Sequence, residues 1–232
     1  MAKIDFNLAD RAENIRQPKK QIPVVHFELQ DIFNHFNESL KDIDNQSETA
    51  DILLQEGKDE ECQDIWRSQI VFLEGILDFY LHEMSKYALY QMFSGQWNKS
   101  KKYFGIKVPM EWVENAYEDL STKEWFFSFL NQEMSKQVYL SAESMKDQLN
   151  LIGIPFNDVM SKAFPKSNGN DSLKYGKTIV REMFDRRNKI VHQNDREHTS
   201  ANRTSISKDL VTLYRQQIAT IVNAIQEIAI DK

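Results

Sequence analysis

Cysteine is nearly absent: Cys62 stands alone in 232 residues, which excludes an internal disulfide and any thiolate cluster around a metal. Its neighbours Asp59, Glu60 and Glu61 disfavour the thiolate, so it reads as an inert thiol. Glycine and proline are scarce too, at 7 and 5, and runs rich in valine and threonine are few. That leaves little turn chemistry for a sheet protein and points to an all-α chain. No stretch approaches eighteen consecutive apolar residues, and Met1-Ala2-Lys3-Ile4-Asp5 lacks an apolar signal core. The expectation is a cytoplasmic protein with no membrane association. Positive charge is not in surplus either: a net charge of −6 and a pI near 5.5 argue against coating nucleic acid through bulk charge.

What is present is an ordinary globular balance, 41% apolar and 28% charged, in a chain long enough to bury a sizeable core. Residues 1–22 are polar, contain Lys19-Lys20 and are broken by Pro18, with Pro23 just beyond; they read as an arm ahead of a single domain over 23–232. After Pro23, the spacing of Val25, Leu29, Ile32, Phe33, Phe36, Leu40 and Ile43 predicts a helix. The acidic stretch from Asp44 to Asp64 reads as a connection holding one short helix. A long helix then runs from Asp64 to about Phe93, with Leu73, Leu77, Leu81 and Met84 on its buried face. Glu74, Asp78 and His82 recur every four residues beside that face, a pattern that a surface ladder would also give.

Ser94 to Pro109 reads as a loop in which Trp97, Tyr103 and Phe104 alternate with lysines. Such aromatics stack bases in some proteins and more often anchor a loop to the core. Shorter helices follow over 111–119, from a Ser121–Glu124 capping box, and from Ser141 to Ile152. Phe156 to Phe164 reads as a turn. A helix from near Ser172 to His192 follows, then a polar exposed loop over Gln193–Ser205. Ser207 caps the last helix, whose stripe runs through Val211, Ile218 and Ile225.

Several chemistries fail on spacing. Gly176-Lys177-Thr178 ends like a phosphate-binding loop, but the glycine needed five residues earlier is Asp171. His82-Glu83 begins a zinc-protease pattern, but position 86 is Lys86. No nucleophile elbow or dinucleotide fingerprint occurs, and the histidines are too scattered for a dedicated metal site. His26 and His35 read as surface or boundary residues. No metal and no cofactor are expected.

The chemistry gathers at Asp185-Arg186-Arg187-Asn188-Lys189-Ile190-Val191-His192-Gln193-Asn194-Asp195. On a helix Asn188 and His192 share a face, while Arg187 lies about 140° from His192. A guanidinium can clamp a phosphate through two donors, and an imidazole exchanges protons near neutral pH. A solvated helix end with a cation favouring the dipole would look the same. From Lys174 to Arg203 eight cations stand against four anions, a local surplus that suits a phosphate backbone.

Arg187-Asn188, followed by Ile190-Val191-His192, resembles the Arg-x(4–6)-His signature of the HEPN superfamily, in which a polar residue commonly follows the arginine. The upstream run Leu77-Asp78-Phe79-Tyr80-Leu81-His82-Glu83 resembles the acidic, aromatic and His-Glu pattern of its RiboL-PSP-HEPN branch. The resemblance implies an up-and-down helical bundle with additional helices inserted between the second core helix and the motif helix. It implies a metal-independent endoribonuclease in which the ribose 2′-OH attacks the adjacent phosphate and leaves a 2′,3′-cyclic phosphate. Arg187, His192 and Asn188 would be catalytic, with Asp78 holding the cation in place; Arg186, Lys189, Glu74 and His82 would contact substrate. It also implies an RNA substrate, a homodimer through the motif helix, and a toxin or antiviral effector restrained by an antitoxin or regulatory protein. The rival reading is a non-catalytic helical module binding RNA, a nucleotide or a partner protein through the same face.

Overall fold

The computed structural model describes residues 25–118, 123–165 and 169–232. The arm and the Ser121–Glu124 capping box fall wholly or partly outside them. The described residues form eight α-helices and no strand: α1 (Leu29–Gln55), α2 (Asp59–Ser94), α3 (Met110–Glu118), α4 (Glu124–Met134), α5 (Ala142–Leu151), α6 (Phe156–Ala163), α7 (Gly169–Gln193) and α8 (Lys208–Ile230).

The first departure from expectation is at the top of the α1–α2 hairpin. The acidic stretch after Asp44 is no connection: α1 continues to Gln55, and α2 begins at Asp59. Ala50 is buried and Leu53 packs against the core, so the acidic residues are the wet side of a helix whose other side still touches its neighbour. Glu56-Gly57-Lys58 makes the reversal, with Gly57 at φ +74°, a conformation glycine adopts without steric cost. Phe36 meets Tyr80 edge-on, and Gln69 donates to the Ile43 carbonyl at 2.8 Å, which fixes the antiparallel register.

α8 then runs back along α1. Lys208 reaches Asp51, Arg215 reaches Asp44, and Gln226 donates to the Leu29 carbonyl. Its buried stripe of Val211, Ile218, Ile221, Val222 and Ile225 completes a core with Ile70, Leu73, Leu77 and Leu81 of α2. Truncating one of these to alanine costs about 2–5 kcal/mol. The Ser207 side chain accepts from Leu210 N–H, so the expected cap is present.

The segment read as a turn, Phe156–Phe164, is a two-turn helix. Phe156, Val159, Met160 and Ala163 stand at helical spacing and are buried, and Pro155 precedes it with extended backbone. This helix explains Gly176. A side chain there would run into Met160 Sδ, so the glycine lets α6 lie directly on α7. In the 94–109 loop, Trp97 is buried against Tyr87 and Tyr103 packs on the core, while Phe104 is exposed. Anchoring therefore accounts for two of the three aromatics.

Candidate active site

α7 lies against α2. Ile179, Val180 and Met183 hold it to the core. Beyond them, at the C-terminal end, come Arg187 and Asn188, half-buried, and His192, exposed in the final turn. Arg187 donates from a terminal nitrogen to Asn188 Oδ1 at 3.0 Å. Its Nε is buried and bonded to nothing. The guanidinium is thus held at one corner by its sequence neighbour, and among the described residues that is its one hydrogen bond. Lys189 is half-buried on the same turn, and its carbonyl accepts from the Asp195 amide at 3.0 Å.

Arg186 and Arg187 diverge. Expected at the substrate, Arg186 instead turns inward: both its terminal nitrogens donate to Asp195, one at 2.9 Å, and it also donates to the Ser205 carbonyl at 3.1 Å. Asp195 is fully buried. It also accepts from Arg67 Nε at 2.8 Å, and its backbone carbonyl accepts from Thr204 N–H. Arg67 spends its other nitrogens on Asp64 and the Thr204 carbonyl.

One carboxylate between two guanidiniums in the interior is stabilised because both its oxygens are bonded, while Arg186 Nε stays buried without a partner. The chain leaves α7 through Asn194 and Asp195 at φ +51° and +58°, in the left-handed region that asparagine and aspartate tolerate best after glycine. The loop after the motif is exposed over most of its length, as its composition implies, and is pinned by its third residue, Asp195.

The acidic residues of α2 also sort differently from expectation. Asp78 accepts the Tyr139 amide at 3.0 Å and lies 3.7 Å from His82 Nε2, with the His82 ring tilted against Tyr139. These two hold the segment leading into α5, and Asp78 makes no bond to Arg187. The acidic residue of α2 within electrostatic reach of Arg187 is Glu74, only 2% exposed, with both carboxylate oxygens buried and without a hydrogen-bond partner. Burial pushes the Glu74 carboxyl up to about 8; the positive charge of Arg187 works against that rise and Asp78 adds to it.

Sequence reasoning does not single out Arg67 or Asp195. The polar face of α2 continues upstream, since Arg67 is two turns before Glu74 and on the same side; that extension is the available signal. Asp195 gives little sign beyond its place in an Asn-Asp pair after a helix. An open groove of about 620 Å³ shares Tyr139 with the Asp78 cluster and includes Lys102, Ser144 and Gln148, but no motif residue.

A sequence model described as RiboL-PSP-HEPN matches residues 27–231. The chain belongs to the RiboL-PSP-HEPN family. Ribonuclease activity, RNA binding and dimerisation are common among HEPN domains, and the all-helical bundle agrees with membership. No curated protein and no solved structure matches the chain. Among the described residues of this HEPN domain, no helix is long and apolar enough to cross a membrane.

Proposed function

We propose that the protein is an endoribonuclease that needs no metal. The ribose 2′-OH attacks the neighbouring phosphorus, the P–O5′ bond breaks, and a 2′,3′-cyclic phosphate and a 5′-OH result. His192 takes the 2′-OH proton or delivers one to the departing 5′ oxygen. Arg187 stabilises the added negative charge of the pentacovalent transition state. Asn188 orients Arg187 through its Oδ1, with its amide nitrogen able to donate to a phosphate oxygen. Lys189 adds charge beside the backbone.

The observation that carries this reading is the pairing of Arg187 with Asn188, one turn before an exposed His192, at the open end of the motif helix of a HEPN domain. A single histidine cannot serve as acid and base in the same step. A two-fold dimer through the α7 end supplies the second His192 and Arg187. The biological role that goes with such chemistry is that of a toxin or antiviral effector held in check by a partner protein.

The test is incubation of the purified chain with total RNA in EDTA, beside Arg187→Ala and His192→Ala. The expected result is fragments ending in cyclic phosphate from the unaltered chain alone. RNA that is bound but left whole, after any copurifying inhibitor has been stripped off, makes the protein a binding module.

A further inference from the structure

Packing alone does not explain Gln148. It is only 6% exposed, and its amide nitrogen is buried without an acceptor. The side chain has lost its hydration and gains no bond from that nitrogen; a leucine would fill the position at lower cost. Ser144, Asp147, Gln148 and Leu151 stand at i, i+3, i+4 and i+7 along α5 and line the open groove of about 620 Å³. The rest of the lining includes Lys102 and Ile106 of the loop before α3 and the segment 137–139. These parts are fixed to one another and to the bundle: Ser100 donates to the Leu151 carbonyl at 2.6 Å, and Tyr139 N–H donates to Asp78 at 3.0 Å.

The loop brings charge of one sign. From Ser94 to Met110 there are four lysines, Lys99, Lys101, Lys102 and Lys107, and no acidic residue. All four are exposed. Lys102 meets Asp147 at 2.8 Å, and the other three make no ion pair among the described residues. On α5, Glu143 and Asp147 stand against Lys146, so the cations prevail. A ligand that suits the groove has an apolar body for Ile106, Tyr139 and Leu151, a polar edge for an amide, and negative charge beside it. A nucleotide has all three. The amide of Gln148 carries a donor and an acceptor side by side, and adenine presents the complementary pair at N6–H and N7. In a single strand that edge is free.

We propose that this groove is a nucleobase subsite, taking one unpaired adenine of an RNA strand against Gln148 while the lysines of the 99–107 loop hold the flanking phosphates. It rests on the nuclease reading in one respect, that RNA is the ligand. Asp78, which receives the Tyr139 amide, is one turn along α2 from Glu74, and Glu74 is within electrostatic reach of Arg187. A strand seated in the groove runs on along α2 toward the motif, so the groove selects a base near the bond that is cut.

The test uses the full chain carrying His192→Ala, which keeps the RNA whole. Fluorescein-labelled hexa-adenylate is compared with the same strand built from 7-deazaadenosine, in which C–H replaces N7 and the stacking face is kept. Expected is binding of the deaza strand about tenfold weaker. Adding Gln148→Leu should erase the difference, at a melting temperature no lower than the parent's. Lys101→Ala together with Lys107→Ala should weaken both strands alike and flatten the salt dependence. The Gln148 side-chain amide resonances should move when hexa-adenylate is added. Equal affinity for the two strands, a difference that survives Gln148→Leu, or binding of neither overturns the proposal. Amide resonances that answer instead to an acetylated, amidated trialanine make the groove a peptide site and overturn it too. Failure of the nuclease reading shows separately, as RNA left whole by the chain with His192 intact while the preference for N7 persists.

Discussion

Arg67 Nε donates to Asp195 Oδ2 across 2.8 Å, joining residues 128 positions apart and fixing the exit of the motif helix to α2. Arg186 binds the same carboxylate from the other side. His192 therefore lies between two restrained points, the core-packed body of α7 and the anchored Asp195.

Removal of that anchor should be felt in both stability and chemistry. Asp195→Ala leaves two buried guanidiniums facing each other, and the expected loss is about 3–5 kcal/mol in urea denaturation. Asp195→Asn should recover part of it, because an amide oxygen still accepts one donor. RNA cleavage should fall in both variants, although Asp195 is too deep to touch substrate. Full activity in a destabilised Asp195→Ala would separate the anchor from the site.

Arg187→Lys keeps the charge but not the planar fork. If the guanidinium meets the transition state, kcat should drop about 100-fold or more while KM changes little. The melting temperature should hardly move, since Arg187 gives up a single hydrogen bond to its neighbour. Cleavage at parental rate by the lysine variant would remove Arg187 from the chemistry.

Glu74 predicts how stability depends on pH. Its folded-state value is raised to about 8 from 4.5, so between those limits the unfolded chain releases a proton that the folded one retains. Stability contributed by this group is fully present below 4.5, falls as pH rises, and levels off above about 8. The fall should be on the order of a few kcal/mol, and Glu74→Gln should lack it. Urea denaturation of both chains at the two ends of the range checks this, and parallel profiles would count against a neutral Glu74.

Ser207 offers a control outside the proposed site. Its hydroxyl oxygen accepts from Leu210 N–H at the start of α8, so Ser207→Ala should cost about 1 kcal/mol with cleavage unaltered. A larger loss would mean that the loop before α8 is held through this residue as well.

Much of the fold is legible in the amino-acid sequence, for identifiable reasons, and so is the segment that carries the proposed site. The stripes of α1, α2 and α8 are strongly periodic, and periodicity states which side is buried without reference to a partner. The motif is legible because its residues lie within one helix, where spacing fixes geometry. What the sequence hides depends on contacts between distant segments. Whether Asp78 or Glu74 comes within electrostatic reach of Arg187 is decided by which turn of α2 faces α7, and the loop before α5 claims Asp78 through Tyr139. Arg186 and Arg187 cannot be told apart by composition; Asp195 separates them. Phe156–Ala163 is too short for its pattern to stand out between Pro155 and Pro165, and the acidity of residues 44–64 masks the continued packing of Ala50.

The burial of Asp195 also makes ionic strength a tool. Dissolved ions screen charges they can approach, and Asp195 in the clasp with Arg67 and Arg186 is closed to them, whereas the polyanion contacts proposed for the exposed end of α7 would not be. Raising salt should therefore detach nucleic acid from a scaffold that stays intact. Affinity and architecture, though built from neighbouring arginines, can be varied separately in one sample.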